Sequence, residues 1–314
     1  MQISCAIVSY HNPPEQIAEV LRNAASSAMD VAIFLVDNSS DDTLAEVARR
    51  FGARYIHRPD NPGFGAAHNL AMREALAQGT RYHAVLNPDI SFGPEVLPAL
   101  HAYMEAHQDI GLIMPDIRYP DGSRQHLCKL LPTPADLWVR RFLPGLYKAS
   151  GRLDTYEMRA SGYDSIMDVP ALSGCFMFLR ASVLERVAGF DERFFMYLED
   201  VDLSRRIGQI ARTVFYPKVS IVHAYQKGSY KNSALLKRHI RSAVQYFSKW
   251  GWVFDAERHA VNRRALQQMT RGQPRDEVQA DAAAVPAASA TSTASAVTSA
   301  SDSLADRKSR TGRA

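Results

Sequence analysis

The 314-residue chain is poor in cysteine, and the three it has, Cys5, Cys128 and Cys175, lie far apart with no CxxC pair. That spacing excludes a disulfide framework and a sulfur-rich zinc site, and it leaves reduced, buried thiols as the expectation. Long apolar runs are also missing. Nothing approaches the roughly 20 apolar residues of a membrane-spanning helix, and the start MQISCAIVSY has neither a basic region nor an apolar stretch of signal length. A cytoplasmic protein is expected. No glycine fingerprint follows the first apolar run and no P-loop motif occurs anywhere, so dinucleotide and P-loop readings lose their central support. Charge of one sign is scarce too: 37 Lys and Arg against 33 Asp and Glu leave +4, too mild to indicate nucleic acid. The excess is local, with nine cations between Lys227 and Arg264 against only Asp255 and Glu257.

What is present, 46% hydrophobic and 22% charged residues, is the composition of a globular protein. Apolar runs alternate with helical patterns over the first ninety residues, the signature of an α/β fold in which helices cover a mostly parallel sheet. Strands are expected at Ile3 to Ser9, Val31 to Val36, Arg54 to His57, Tyr82 to Leu86 and Ile110 to Met114, and helices at Pro14 to Ala28, Ala66 to Gln78 and Glu95 to His107. Ser39, Ser40, Asp41 and Asp42 offer caps for a further helix ending near Gly52. Between Pro115 and Pro170 the periodicity weakens, with short helices expected near Trp138 and Tyr156; long ordered loops of this kind often hold substrate. Pattern returns as a strand at Cys175 to Leu179, helices at Ala181 to Ala188 and Asp200 to Gly208, strands at Thr213 to Phe215 and Val219 to His223, and a helix from Ala234 to Trp252. Residues 271–314 are rich in Ala, Ser and Thr and lack large side chains, so a disordered tail is expected there.

Ligands of open parallel sheets bind outside the carboxyl ends of the strands. Those ends read Ser9-Tyr10-His11-Asn12, Asp37-Asn38-Ser39-Ser40 and Asn87-Pro88-Asp89. Alone, Asp37 could cap a helix and Asp89 could serve a turn. Together, two carboxylates and a serine on one edge suit a ribose and a metal-bound diphosphate, because hard divalent cations seek carboxylate oxygens. The turn Asn61-Pro62-Gly63-Phe64-Gly65-Ala66-Ala67-His68-Asn69 leads into a helix whose N-terminus favours anions, unless it merely joins strand to helix. Phe195-Met196-Tyr197-Leu198-Glu199-Asp200-Val201-Asp202 sets three acids behind an aromatic lead. Capping accounts for one or two of them; a carboxylate facing the sheet edge can take a proton from an incoming hydroxyl. Asp202 reads as a supporting acid, and His223 as a strand-end histidine or a metal ligand.

The ordered set VSY, VDNSSDD, NPGFGAAHN, LNPD and DERFFMYLEDVDLSRR resembles a family 2 glycosyltransferase of the GT-A fold, and within it the bacterial rhamnosyltransferases. The resemblance spans Ile3 to Trp250. It implies a single catalytic domain over 1–265, with a nucleotide-binding half at 1–115, an acceptor half at 116–230 and a basic amphipathic helical region at 231–265. It implies inverting transfer of a sugar from a nucleotide donor, dTDP-rhamnose in this subgroup, to a hydroxyl of a glycan or lipid-linked glycan, with Mg2+ or Mn2+. Ser9, Tyr10, Asp37, Asn61, Gly63, Phe64, Asn69 and Asn87 would hold the nucleotide. Asp89 would bind the metal, with His223 as a further metal or diphosphate contact, although the first acid of the family's DxD motif is here Asn87. Asp200 would be the base, with Glu199 beside it.

A nucleotidyltransferase and an inactive nucleotide-sugar-binding module are the competing readings. The first lacks its basic, glycine-rich loop after strand one, and the second is opposed by retention of Asp89 and the Glu199-Asp200 pair. The helix from Ala234 to Trp252 mixes Leu, Ile and Phe with Lys237, Arg238, Arg241 and Lys249, which suits packing on the domain or peripheral contact with an anionic membrane.

Overall fold

The computed structural model describes residues 2–224 and 233–271. The expected disordered tail lies, from residue 272 onward, outside the described residues, as do Lys227 and Lys231. The first half runs β1 (Ile3–Ser9), α1 (Pro14–Ala25), β2 (Val31–Asp37), α2 (Ala45–Arg50), β3 (Arg54–His57), α3 (Phe64–Ala77) and β4 (Tyr82–Leu86). The second continues with β5 (Ile90–Ser91), α4 (Val96–Ala106), β6 (Ile110–Arg118), α5 (Pro134–Phe142), α6 (Pro144–Ala149), α7 (Arg152–Tyr156), β7 (Met167–Asp168) and β8 (Phe176–Arg180). It closes with α8 (Ala181–Val187), α9 (Glu199–Gly208), β9 (Arg212–His223), α10 (Ser233–Trp250) and α11 (Ala256–Arg271).

One sheet carries the order β3-β2-β1-β4-β8-β6-β9-β5, with β7 added to β9. β1 to β4 pair in parallel and β6 with β9 likewise, while β8 enters antiparallel between β4 and β6. Alternation along β1 sends Cys5 and Ile7 into the main core, and Ala6 and Val8 against the alanines of α3, whose small side chains let that helix sit close. Burial pushes the Cys5 thiol up to about 12, leaving it an inert core residue. Strand order reverses between β1 and β4, and the crevice at such a reversal is where ligands of open sheets bind. Register fixes its rim. Ser9 lies opposite Asp37, Ile7 opposite Leu86, and Ile90 on β5 opposite His223.

Two expectations are corrected. The residues read as two strands near 213 and 223 form one, β9, whose register against β6 jumps from Tyr216 to Ser220; Pro217, unable to donate to a ladder, sits in the jump. The polar run 39–42 does not cap α2, whose N-cap is Leu44 with no side-chain cap; Asp41 instead accepts from the Thr43 amide and hydroxyl. The helix expected from Ala234 to Trp252 is α10, which ends at Trp250. Gly251, at φ 103°, breaks it, and α11 is pinned to α9 by a buried ion pair from Arg205 to Asp255 at 2.7 Å, extended to Glu257. On α10, Tyr246 and Phe247 are buried with Leu131, Leu137, Phe194 and Val201, so that stretch packs on the domain.

Candidate active site

A cavity of about 1210 Å³ opens at the carboxyl ends of β1, β2 and β4 and runs past β8 and α9 to α5, α6 and α10. At its first end Ser9 is buried, its hydroxyl donating to Asn12 Oδ1 at 3.2 Å, and Tyr10 is exposed at the rim. Asp37 is fully buried and does not line the cavity: its two oxygens accept from the Ser39 amide at 3.0 Å and the Tyr55 hydroxyl at 2.9 Å. The side chain that faces the cavity is its neighbour Asn38, whose buried Oδ1 has no hydrogen-bond partner among the described residues. Such an orphan acceptor costs free energy unless a ligand donor meets it.

Asn61, Gly63 and Phe64 line the cavity next to this end. Asn61 and Gly63 both have positive φ, and a Cβ on Gly63 would overlap the Phe195 carbonyl oxygen, which accepts from the Phe64 amide at 2.9 Å. Glycine is therefore required where this turn is stitched to the segment before Glu199. Asn69 has a different task from the nucleotide contact expected of it. Its amide donates to the Phe190 carbonyl at 2.8 Å and to Glu192 at 3.0 Å, and its oxygen accepts from the Phe190 amide at 2.8 Å, so it clasps α3 to the 190 loop, away from the cavity.

Asn87, Asp89 and His223 meet at the centre. The Asn87 amide donates to the Cys175 carbonyl, and pairing of β5 with the end of β9 sets His223 Nε2 3.3 Å from Asp89 Oδ1 and 3.4 Å from Asn87 Nδ2. Gln125 orients the ring: its amide donates to the His223 carbonyl at 2.7 Å, which turns its oxygen to His223 Nδ1 at 3.0 Å. Nε2 is thereby aimed at Asp89. Burial alone would depress the imidazole, but Asp89 and Cys175 together outweigh it and push His223 up to about 10. Asp89 Oδ1 is buried without a well-formed hydrogen bond. The open Asp89 oxygen suits a divalent cation, and the imidazole beside it, whose far nitrogen is already held, joins as a ligand only once it has lost its Nε2 proton. Among the described residues no cluster of three or more His, Cys, Asp or Glu occurs, so remaining ligands would come from diphosphate and water.

Glu199 and Asp200 begin α9 behind two consecutive left-handed residues, Tyr197 at φ 73° and Leu198 at φ 65°. Such strain at non-glycine positions persists only where surrounding contacts impose it, and here it turns both acids into the cavity. Asp200 Oδ2 accepts from the Gly174 amide at 3.0 Å and Oδ1 from the Val201 amide at 2.8 Å. Glu199 is buried with Oε2 unpartnered, and burial together with the Asp200 charge holds it well above the usual carboxylate range. Burial thus favours the neutral form of Glu199. Asp202 is a supporting acid, bonded to Arg206, Lys249 and the Trp250 indole.

A raised native pKa means that folding takes up a proton between the unfolded and native values, so stability from this group is full at acid pH and falls as pH climbs through that window. Glu199→Gln, which mimics the protonated acid, is expected to melt close to wild type at pH 4 and increasingly above it toward pH 8. Melting curves across pH check this; a constant difference would mean that Glu199 is already ionised.

At the far end the cavity wall is cationic, formed by Lys129 with Arg140 and Arg141 of α5 and Arg238 of α10. Burial and Arg140 lower the Lys129 ammonium. Sequence reasoning missed Asn38, Gln125 and this wall. Asn38 stood in a motif already quoted, whereas nothing local marks Gln125.

Comparison with known proteins places these features in context. The profile described as glycosyl transferase family 2 matches residues 5–187. The chain is 30% identical over 252 residues to N-acetylglucosaminyl-diphospho-decaprenol L-rhamnosyltransferase of Mycobacterium tuberculosis, covering 73% of this chain and 76% of that protein. It is 25% identical over 253 residues to rhamnosyltransferase WbbL of Escherichia coli, covering 77% and 92%. Among solved structures it resembles mannosyltransferase PcManGT from Pyrobaculum calidifontis in complex with GDP-Man and Mn2+, with a TM-score of 0.52, 18% identity, and 86% and 73% of the two chains covered. It also resembles S. aureus TarS 1–349 in complex with UDP-GlcNAc, with a TM-score of 0.54, 15% identity and coverage of 86% and 73%.

Proposed function

Because this chain belongs to glycosyl transferase family 2 and has the GT-A fold, we propose that it transfers L-rhamnose from dTDP-rhamnose, with inversion, to a hydroxyl of a sugar carried on a lipid diphosphate. The observation that carries this reading is the single cavity that joins Asn38, the Asp89–His223 pair, Asp200 and a cationic wall in that order. The two rhamnosyltransferases among the relatives support the sugar, and the diphospho-decaprenol in one relative's name supports the acceptor class. Such an acceptor would keep the enzyme at the cytoplasmic face of a membrane; no described helix is long and apolar enough to cross one. The compact unit 1–275 supports reading 1–265 as the catalytic domain, with the donor bound by the 1–115 half and the acceptor by 116–230.

In this mechanism Ser9, Tyr10, Asn38 and the Asn61–Phe64 turn hold the nucleoside, with Asp37 fixing the loop behind Asn38. Asn87, Asp89 and His223 hold the diphosphate end. Asp89, joined by His223 in its neutral form, would hold a divalent cation, and the chemistry that ion would supply is positive charge against the departing diphosphate. Asp200 accepts the proton of the acceptor hydroxyl while that oxygen bonds the anomeric carbon and the nucleoside diphosphate departs with the bonding electrons. One displacement inverts the centre, so one base suffices and no protein nucleophile is needed. The backbone amides of Gly174 and Val201 keep the Asp200 oxygens aimed.

A donor panel of dTDP-rhamnose and UDP- and GDP-hexoses, assayed by nucleotide release with a GlcNAc-diphosphate lipid and Mg2+ or Mn2+, tests this. Release is expected to be fastest from dTDP-rhamnose and to depend on the acceptor; a preference for a UDP-hexose overturns the donor assignment.

A further inference from the structure

The segment read from sequence only as short helices near Trp138 places large apolar side chains in water. Trp138, Phe142, Leu143 and Leu146 are 53%, 51%, 55% and 62% exposed, and the Trp138 and Phe142 rings lie 5.0 Å apart. Clustered exposure of this size marks an interaction surface. The other side of the same two helices faces inward: Leu137 and Tyr147 are buried, and Arg140 and Arg141 line the acceptor end of the cavity. We propose that α5 and α6 form a foot that docks on an anionic phospholipid bilayer, with the four apolar side chains in the interface and the cavity opening beside the headgroups.

Charge complementarity selects this occupant. From Pro134 to Arg152 the chain carries Arg140, Arg141, Lys148 and Arg152 against the single acid Asp136, which is buried and bonded to Thr133, Tyr147 and Arg152. A tryptophan, a phenylalanine and leucines rimmed by cations is the composition of a helix lying in a lipid interface, where apolar burial and attraction to anionic lipid add. Continuity with the cavity supplies a reason: a lipid-linked acceptor held in the bilayer would meet the cationic wall without leaving its headgroup plane. The inference rests on the lipid-linked acceptor reading above. It relocates the membrane contact expected of α10, where only Lys237, Ile240, Arg241 and Val244 form an exposed mixed face. The α10–α11 tip, with Val253 and Phe254 exposed, is the competing apolar surface, and Arg258 is engaged there by backbone carbonyls.

Co-sedimentation of the full chain with vesicles of phosphatidylcholine and phosphatidylglycerol in equal parts tests the proposal. Wild type is expected to bind, more weakly at high salt. The exposed triple change Trp138→Ser, Phe142→Ser, Leu146→Ser is expected to weaken binding about tenfold or more, while Val253→Ser with Phe254→Ser leaves it intact. Turnover on a short-chain, water-soluble acceptor is expected to be unchanged in both variants, which separates loss of docking from loss of fold. Equal binding by the triple variant, loss only in the tip variant, or a self-associated chain that ignores vesicles and is dispersed by the triple change would each overturn it. Vesicle binding without turnover on any acceptor would instead defeat the functional reading and leave the foot standing.

Discussion

Asp200→Asn is expected to lower kcat by about 10²–10⁴-fold, the usual worth of a positioned general base, while the affinity for nucleotide sugar stays within a small factor of wild type. The split follows from the geometry. Asp200 touches the protein through the Gly174 and Val201 amides, whereas the end of the cavity proposed to hold the nucleotide is built from β1, β2 and the 61–64 turn. The Asn oxygen can still accept from one of those amides, so the loop is expected to survive. Steady-state turnover and donor binding by calorimetry measure the two quantities separately. Unchanged turnover would move the base to Glu199, whose burial raises its pKa and argues against that role.

Asp89→Ala is expected to reduce kcat/KM by about 10²–10³-fold, the scale of removing one electrostatic stabiliser of a leaving group, and to raise the Mn2+ concentration needed for half-maximal rate. Asp89 and His223 are the carboxylate and imidazole that face each other where the diphosphate is proposed to lie, and nothing else acidic among the described residues joins them as a metal-holding cluster. Titrating Mn2+ against rate for wild type, Asp89→Ala and His223→Ala checks the assignment. A rate in either variant that neither falls nor shifts its cation dependence would place the diphosphate elsewhere.

Strands β1 and β4 begin and end where the sequence places them, because a strand buried in a parallel sheet is largely apolar and the chain turns polar where it leaves the core. β5 and β7, of two residues each, carry too little pattern to be seen. Ser39 and Asp41 look like caps because their side chains bind nearby amides; the structure uses that capacity within the loop, where Ser39 Oγ accepts from the His11 amide at 2.8 Å. Cavity lining was legible where a residue stands at the end of a strand, as do Ser9, Asp89 and His223. It was not legible where a partner is remote. Asn69 finds Phe190 at a separation of 121 residues and His223 finds Gln125 at 98, and neither pairing leaves a local trace. At Asp37 the loop named from sequence does reach the cavity, but the side chain that faces it is the neighbouring Asn38.

The central claim is a single inverting displacement assisted by Asp200, and the anomeric configuration of the product tests it most directly. Proton NMR of the disaccharide formed from dTDP-rhamnose and a GlcNAc-diphosphate acceptor is expected to show the anomer opposite to the donor's. A product with the donor's configuration would require two displacements through a second nucleophile and would contradict the account.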